Sequence, residues 1–175
     1  MIPGKNIRLW PLERMDLQKN YQWANDSELA RLAGSTLIPK AFFEIEQWYN
    51  HCMADPEIQI FAIKLADGTY IGNIELRDLD LRCGCAEIGI VIGESSYIGK
   101  GYGKDAIKTI CHFAFEDIRL HRLYVKVLAS NPRALKTFED CGFHQEGIER
   151  EAFFQNGKYW NIHILGLLDR EFTVE

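Results

Sequence analysis

Three glycines and two lysines lie within the six residues from Gly99 to Lys104, directly before a segment with helical periodicity. Glycine clusters cost conformational entropy, so they mark positions where the main chain needs unusual dihedral angles or must approach a ligand closely. A glycine-rich turn between a strand and a helix directs free N–H groups and the positive end of the helix dipole towards an anion. The spacing therefore predicts a pyrophosphate-binding loop, with a plain tight turn as the alternative interpretation.

This loop differs from the two common glycine motifs for nucleotides. A Walker loop needs G-x-x-x-x-G-K followed by Ser or Thr, whereas Gly93 lies one position too far from Gly99, and Gly101 follows Lys100. A dinucleotide fingerprint would need glycine at Lys104. The sequence therefore indicates neither of these two kinds of site.

Two glutamates interrupt otherwise apolar strand patterns. Glu87 lies in CAEIGIVI, and Glu75 lies in YIGNIELRDL. A carboxylate in such a position is a candidate general base. Strand side chains alternate between faces, so Glu87, Gly89 and Val91 share one face. Each glutamate could equally be an ordinary solvated or ion-paired strand residue.

Composition and charge narrow the class of protein. The chain of 175 residues is 47% hydrophobic and 26% charged, as is usual for soluble globular domains. A net charge of −5 without a long basic run argues against a nucleic-acid binder. No segment approaches the roughly 20 apolar residues of a membrane span, and the opening residues lack the apolar region of a signal peptide. We therefore expect a cytoplasmic protein that binds neither nucleic acid nor membranes.

The cysteines agree with a reducing compartment. Five cysteines are present, an odd number, and no secretion signal accompanies them, so reduced thiols are expected. Cys83 and Cys85 form a C-x-C pair, but no second pair or nearby histidine completes a zinc-ligand set. No metal site is predicted.

The periodicity of the hydrophobic residues predicts one α/β domain over residues 1–175. The predicted order is strand, helices, three strands, helix, strand, helix and two strands. It gives a mixed, mostly antiparallel sheet in which the third of the three consecutive strands is parallel to the strand after the long helix. The main predicted segments are an edge strand (Asn6–Leu12), helices (Asp16–Ala24, Ala41–Met53 and Gly103–Ile118), strands (Ile58–Leu65, Tyr70–Leu79, Cys85–Ile92 and Leu123–Ala129), a helix capped by Asn131, and a hairpin turning at Asn156-Gly157.

Five segments resemble the GNAT superfamily of acetyl-CoA-dependent N-acetyltransferases in order and spacing. They are IRLWPLERMDL…WANDSE, AEIGIVIGESSY, IGKGYGKDAI, NPRALKTFEDCGF and EGIEREAFFQNGKYWNIHILGLL. The branch that the chain resembles most contains the Rim-type ribosomal-protein acetylases and the spermidine N-acetyltransferases. The resemblance implies an α/β (α+β) fold with a central mixed sheet, a splayed parallel strand pair and flanking helices. It also implies acetyl-CoA as cosubstrate, without a metal.

The resemblance also implies which residues bind the cosubstrate. The glycine loop would hold the pyrophosphate, the backbone of one strand would bond the pantetheine arm, and one asparagine would contact that arm from the other side. Two positions depart from the family pattern, because Ile98 stands where Gln or Arg is frequent and Phe138 stands where Tyr is frequent. The implied residues are Val91, Ile92, Ile98, Gly99, Lys100, Gly101, Tyr102, Gly103, Lys104, Asn131 and Phe138.

In the implied reaction, a neutral amine attacks the thioester carbonyl, and a main-chain N–H stabilises the oxyanion. Glu87 and Glu75 are the candidate bases, and water is expected to protonate the departing thiolate in the absence of a tyrosine at Phe138. The acceptor site would lie between the N-terminal helices and the final hairpin, where carboxylates and aromatic rings suit an alkyl-ammonium group. Its candidate residues are Trp23, Asp26, Glu28, Tyr97 and Tyr159.

Three acceptor classes stay open at this point: a polyamine or other small amine, a protein N-terminus, and an amino sugar or antibiotic. A homodimer or a higher homo-oligomer is open too. The alternative to an enzyme is a non-catalytic module that binds or senses acyl-CoA, which the loss of the tyrosine at Phe138 would explain.

Overall fold

A sheet of eight strands forms the centre of the protein in a computed structural model that describes residues 1–35 and 38–173. The strands are β1 (Ile2–Pro3), β2 (Ile7–Pro11), β3 (Gln59–Leu65), β4 (Tyr70–Asp80), β5 (Cys85–Ile92), β6 (Arg122–Leu128), β7 (His144–Gln155) and β8 (Lys158–Leu168). Their order across the sheet is β1-β2-β3-β4-β5-β6-β8-β7. Neighbouring strands are antiparallel except β5 and β6, which are parallel. The predicted mixed, mostly antiparallel sheet is confirmed.

Helices flank this sheet. They are α1 (Leu17–Ala24), α2 (Ser27–Ala33), α3 (Phe42–Ala54), α4 (Tyr102–His112) and α5 (Pro132–Glu139). The helix predicted to run as one regular element to Ile118 instead changes to a π-helical turn at Phe113–Asp117. Within the described ranges, none of the helices has both the length and the apolar character needed to cross a membrane.

Local sequence signals account for several element boundaries. The side chain of Asp26 accepts hydrogen bonds from the main-chain N–H groups of Glu28 and Leu29, which caps α2. Asn131 caps α5 through a similar bond from the Ala134 N–H. At the tip of the last hairpin, Asn156 and Gly157 have φ angles of 54° and 78°, as a two-residue turn with both residues in the left-handed region requires.

Hydrophobic residues pack on both faces of the sheet. On the α4 face, Ile74, Leu76 and Ile88 of the sheet and Ile107 and Ile110 of α4 are at most 1% exposed. Burial of each such side chain contributes about 1.5–3 kcal/mol relative to exposure. A smaller cluster beneath α1–α3 covers the opposite face.

The prediction that β2 is an edge strand was wrong. β1 pairs with it through Ile2 opposite Leu9 and Pro3 opposite Arg8, so β1 forms this edge of the sheet. A strand of two residues is too short to show an alternating hydrophobic pattern, which explains why sequence reasoning did not detect it.

Candidate active site

The parallel strands β5 and β6 separate part-way along their length. They pair only at Cys85 with Arg122, Ala86 with Leu123 and Glu87 with Tyr124, although β5 continues to Ile92 and β6 to Leu128. Beyond the last pair, the facing edges of β5 and β6 no longer pair with each other, although each strand still pairs with its neighbour on the other side. Main-chain N–H and C=O groups on these inner edges can therefore bond an extended ligand lying between the strands.

A cleft of about 420 Å³ extends from this opening to the glycine loop. Nine of the eleven residues expected at the cosubstrate line it, namely Val91, Ile92, Ile98, Gly99, Gly101, Gly103, Lys104, Asn131 and Phe138. The other two, Lys100 and Tyr102, lie beside it. Both contact Tyr97, since the Lys100 Nζ atom is 5.7 Å from the Tyr97 ring centroid and the Tyr102 ring is also 5.7 Å away.

The glycine loop has the backbone geometry of an anion site. Gly99 and Gly101 have φ angles of 78° and 87°, and apart from each glycine and its two chain neighbours, no described residue has an atom within 4 Å of where a Cβ would stand. Gly101 immediately precedes α4, so free N–H groups of the first helical turn face this space. The carboxylate of Asp105 in that turn is held elsewhere, because it accepts hydrogen bonds from the main-chain N–H groups of Lys5 and Asn6 at 3.0 and 2.6 Å.

Helices α2 and α5 close the other side of the cleft. The Asn131 side chain joins them, since its Oδ1 accepts from the Ala134 N–H at 3.1 Å and its Nδ2 donates to the Leu32 carbonyl at 3.0 Å. Both ends of this amide are therefore used within the protein. Sequence reasoning missed several lining residues, among them two cationic ones, Arg133 and Lys136. Nothing in their spacing distinguishes them from an ordinary solvated helix face.

An acid pair lies where the strands begin to separate. Arg77 stands opposite Glu87 and Glu75 opposite Gly89 in the β4–β5 ladder, so these side chains share one face of the sheet. Arg77 Nη2 donates to Glu87 Oε1 at 2.6 Å, whereas its Nη1 is 3.4 Å from Glu75 Oε1. A Cβ on Gly89 would stand 2.6 Å from Glu75 Oε1, so the absence of a side chain there leaves room for the carboxylate.

The two carboxylates differ in their electrostatic surroundings. Burial raises the pKa of Glu75 above its ordinary value, the Arg77 cation lowers it in part, and the negative charge of Glu87 raises it further. Glu87 is buried at 7% exposure and is ion-paired with Arg77. Sequence reasoning did not identify Arg77, because a charged residue in an alternating strand usually faces solvent.

Comparison with known proteins decides the family. The acetyltransferase (GNAT) domain matches residues 6–144. The chain belongs to the GNAT acetyltransferase family. A spermidine N(1)-acetyltransferase of Vibrio cholerae is 31% identical over 133 residues, which are 76% of each chain.

Two solved structures extend this comparison. The Vibrio cholerae spermidine N-acetyltransferase in complex with CoA and spermine has a TM-score of 0.89 and 28% identity, and the match covers 96% of this chain and 98% of that one. A dodecameric structure of a Vibrio cholerae spermidine N-acetyltransferase has a TM-score of 0.81 and 29% identity, with 95% of each chain covered.

As a GNAT acetyltransferase, the protein transfers an acetyl group from acetyl-CoA to a primary amine, and the predicted enzyme class and cosubstrate are confirmed. In the described part of the chain, no three His, Cys, Asp or Glu side chains are grouped so that they could hold a metal ion.

The candidate acceptor residues are dispersed. Trp23 is 8% exposed and packs on Gly93 and Tyr70, so its side chain is part of the packing between α1 and the sheet. Asp26 is used as the α2 cap, and the exposed Glu28 follows in the first turn. Tyr97 lines the cleft between β5 and the glycine loop. Tyr159, at the hairpin tip, is 63% exposed and contacts Phe154. Their roles in acceptor binding stay predictions.

Acetyl-CoA is expected to raise the melting temperature. At about 100 times its dissociation constant, a ligand stabilises a protein by about 2.7 kcal/mol, which corresponds to about 5–10 °C for a domain of this size. Differential scanning fluorimetry measures this shift. S-acetyl-N-acetylcysteamine, which has the thioester but no pyrophosphate, serves as the control and should shift the midpoint little. No shift with millimolar acetyl-CoA would contradict the assignment of the cleft.

Proposed function

We propose that the protein acetylates a primary amine of a polyamine or a similar small alkyl amine. The acid pair at the strand separation carries this proposal, since two carboxylates beside one cation favour a ligand with several ammonium groups. The relatives support it, because one relative is a spermidine N(1)-acetyltransferase and one structural neighbour was solved in complex with CoA and spermine. The net charge of −5 would also attract a polycation.

Glu75 is proposed as the general base. Its raised pKa makes it a stronger proton acceptor than an exposed carboxylate, and a base works best with a pKa near the working pH. Glu87 is less suited, because its Oε1 is already bonded to Arg77. In this proposal Glu75 takes a proton from the amine nitrogen, and Arg77 holds Glu87 in place.

Main-chain N–H groups are proposed to stabilise the oxyanion that forms when the amine attacks the thioester. The inner edge of β5 carries N–H groups near Val91 and Ile92 without partners from β6, and fixed donors of this kind stabilise a developing oxyanion. The same edge and the glycine loop fit a pantetheine arm ending in a pyrophosphate.

We further propose that residues 1–175 form one acetyltransferase domain, which acts in the cytoplasm as a homo-oligomer. All five cysteines are free thiols in the structure, which supports a reducing compartment. A dodecameric structure of the related Vibrio cholerae enzyme supports the oligomer.

An amine panel tests the acceptor class. CoA release, followed with a thiol reagent, is compared for spermidine, spermine, short diamines, peptides with a free N-terminus and an aminoglycoside. We expect kcat/KM for the polyamines to exceed that for peptides by at least about tenfold, equivalent to about 1.4 kcal/mol of transition-state binding. A higher kcat/KM for a peptide or for the aminoglycoside would contradict the polyamine proposal and identify the acceptor class instead.

A further inference from the structure

The α5 side of the cleft has no proton donor at Phe138. This residue is 2% exposed and packs edge-to-face against Phe143, with ring centroids 5.2 Å apart. The family resemblance implies a tyrosine at this position, whose hydroxyl would face the cleft. A phenyl ring cannot donate a proton, so any donor for the leaving thiolate is another residue or water.

Tyr124 lies on the other side of the opening. It pairs with Glu87 in the last parallel pair, directly before β5 and β6 separate. Residues opposite each other in a ladder point to the same face, so the Tyr124 side chain shares the face of Glu87 and Glu75. The flanking residues Leu123 and Val125 point the opposite way, into the core beside α4. The Tyr124 main chain therefore lies at the closed end of the opening, and its side chain points to the face of the sheet that carries the acid pair.

The hydroxyl of Tyr124 is uncommitted. Its ring packs on the Arg122 guanidinium, 5.7 Å away, but among the described residues its oxygen has no hydrogen-bond partner. Tyr70 shows the contrast, since its buried hydroxyl accepts from Asn20 and donates to Asn73.

The surroundings also keep the phenol protonated. Partial burial raises the pKa of Tyr124 above its ordinary value, and the charges of Glu87, Asp78 and Cys85 raise it further, while Lys126 opposes them. At neutral pH the hydroxyl therefore carries its proton and can donate it.

We propose that Tyr124 is a catalytic residue that protonates the departing thiolate of CoA, an inference that rests on the acetyltransferase function with Glu75 as base. The C–N bond forms as Glu75 accepts a proton from the amine. The C–S bond then breaks, its electron pair goes to sulfur, and the Tyr124 Oη proton moves to that sulfur. The phenolate regains a proton from Glu75, directly or through water. The net result moves one proton from nitrogen to sulfur.

Tyr124→Phe tests this step, because it removes only the hydroxyl. We expect kcat to fall by about 10- to 100-fold, near the low end of general-acid effects because a thiolate is a good leaving group. KM for the amine, the acetyl-CoA melting shift and the melting temperature should stay unchanged, since the ring and its contact with Arg122 are retained. Tyr21→Phe is the matched control, because Tyr21 is also partly buried and in ring contact, with Phe42, but lies on α1.

A second substitution separates proton donation from packing. Phe138→Tyr alone should change kcat by less than about tenfold, whereas in the Tyr124→Phe background it should restore kcat to within about tenfold of wild type. Retention of wild-type kcat by Tyr124→Phe, or a loss that Phe138→Tyr leaves in place, would overturn the proposal.

The assay uses whichever amine of the panel reacts fastest with wild type. If that amine is not a polyamine, the acceptor proposal fails while Tyr124 is still tested. If wild type acetylates no amine at all, both proposals are overturned.

Discussion

Replacing Glu75 by glutamine is expected to lower kcat for amine acetylation by about 10²- to 10⁴-fold, the usual contribution of a positioned general base. Binding of CoA should persist, because the carboxylate lies over Gly89 on the face of the sheet opposite α4, away from the glycine loop. Steady-state kinetics with the preferred amine, together with the acetyl-CoA melting shift, measure both quantities. Glu87→Gln is the matched control and should cost less, since Glu87 is paired with Arg77.

The assignment of Glu75 as the base predicts how kcat depends on pH and how Arg77→Gln changes that dependence. The base must be ionised, so kcat rises with pH through the pKa of Glu75. Arg77→Gln removes a cation that lowers this pKa, so the acid limb of the profile should move to higher pH. A large loss of kcat in Glu87→Gln together with nearly full activity in Glu75→Gln would reverse the two roles.

Glu75→Gln should raise the stability of the protein near neutral pH, although it lowers the activity. Because the folded protein raises the pKa of Glu75, the contribution of this group to stability is fully present below the unfolded pKa and is lost as pH rises through the folded pKa. Glu75→Gln lacks this loss. Its melting temperature should therefore exceed that of wild type near neutral pH and converge with it in acid, where the wild-type carboxyl is protonated.

Gly101→Glu is expected to weaken CoA binding by at least about 100-fold, or about 2.7 kcal/mol. The new side chain would occupy open space at the start of α4 and bring a negative charge to the proposed pyrophosphate site. It would also place a non-glycine residue at a φ of 87°, which costs about 1–2 kcal/mol. Isothermal titration calorimetry with CoA measures the affinity, and circular dichroism verifies the fold.

Gly68→Glu separates charge at the site from backbone strain. Gly68 has a φ of 86°, and apart from itself and its two chain neighbours, no described residue has an atom within 4 Å of where its Cβ would stand, but it lies in the β3–β4 turn. The two variants should lose similar stability, and only Gly101→Glu should lose CoA affinity. Equal CoA affinity in both variants would mean that the glycine loop is only a turn.

Local signals made much of the fold predictable from sequence. The bounds of β5 agree with the prediction because Gly84 and Gly93 flank the strand. Asn131 and Asn156-Gly157 mark a helix start and a hairpin through their own side-chain and backbone chemistry. These features depend on neighbours within a few residues. The loop before α4 was predictable for the same reason.

The remaining features depend on contacts between distant segments. Strand register decides that Arg77 faces Glu87 and that Glu75 covers Gly89, and no short pattern encodes register. The burial of Trp23 likewise depends on the close approach of α1 to Gly93, which no local pattern indicates. The place of Tyr124 beside Glu87 also required the parallel alignment of two strands that are distant in the chain.

The separation of β5 and β6 gives this sheet two interior edges in addition to its outer ones. An unpaired edge is ordinarily a liability, because it invites pairing with another chain. Here α2 and α5 restrict access, so only a narrow extended molecule can complete the ladder. Recognition through main-chain atoms makes few demands on side-chain identity. If the cosubstrate is bound in this way, substitutions along both strands can accumulate without loss of its main-chain contacts.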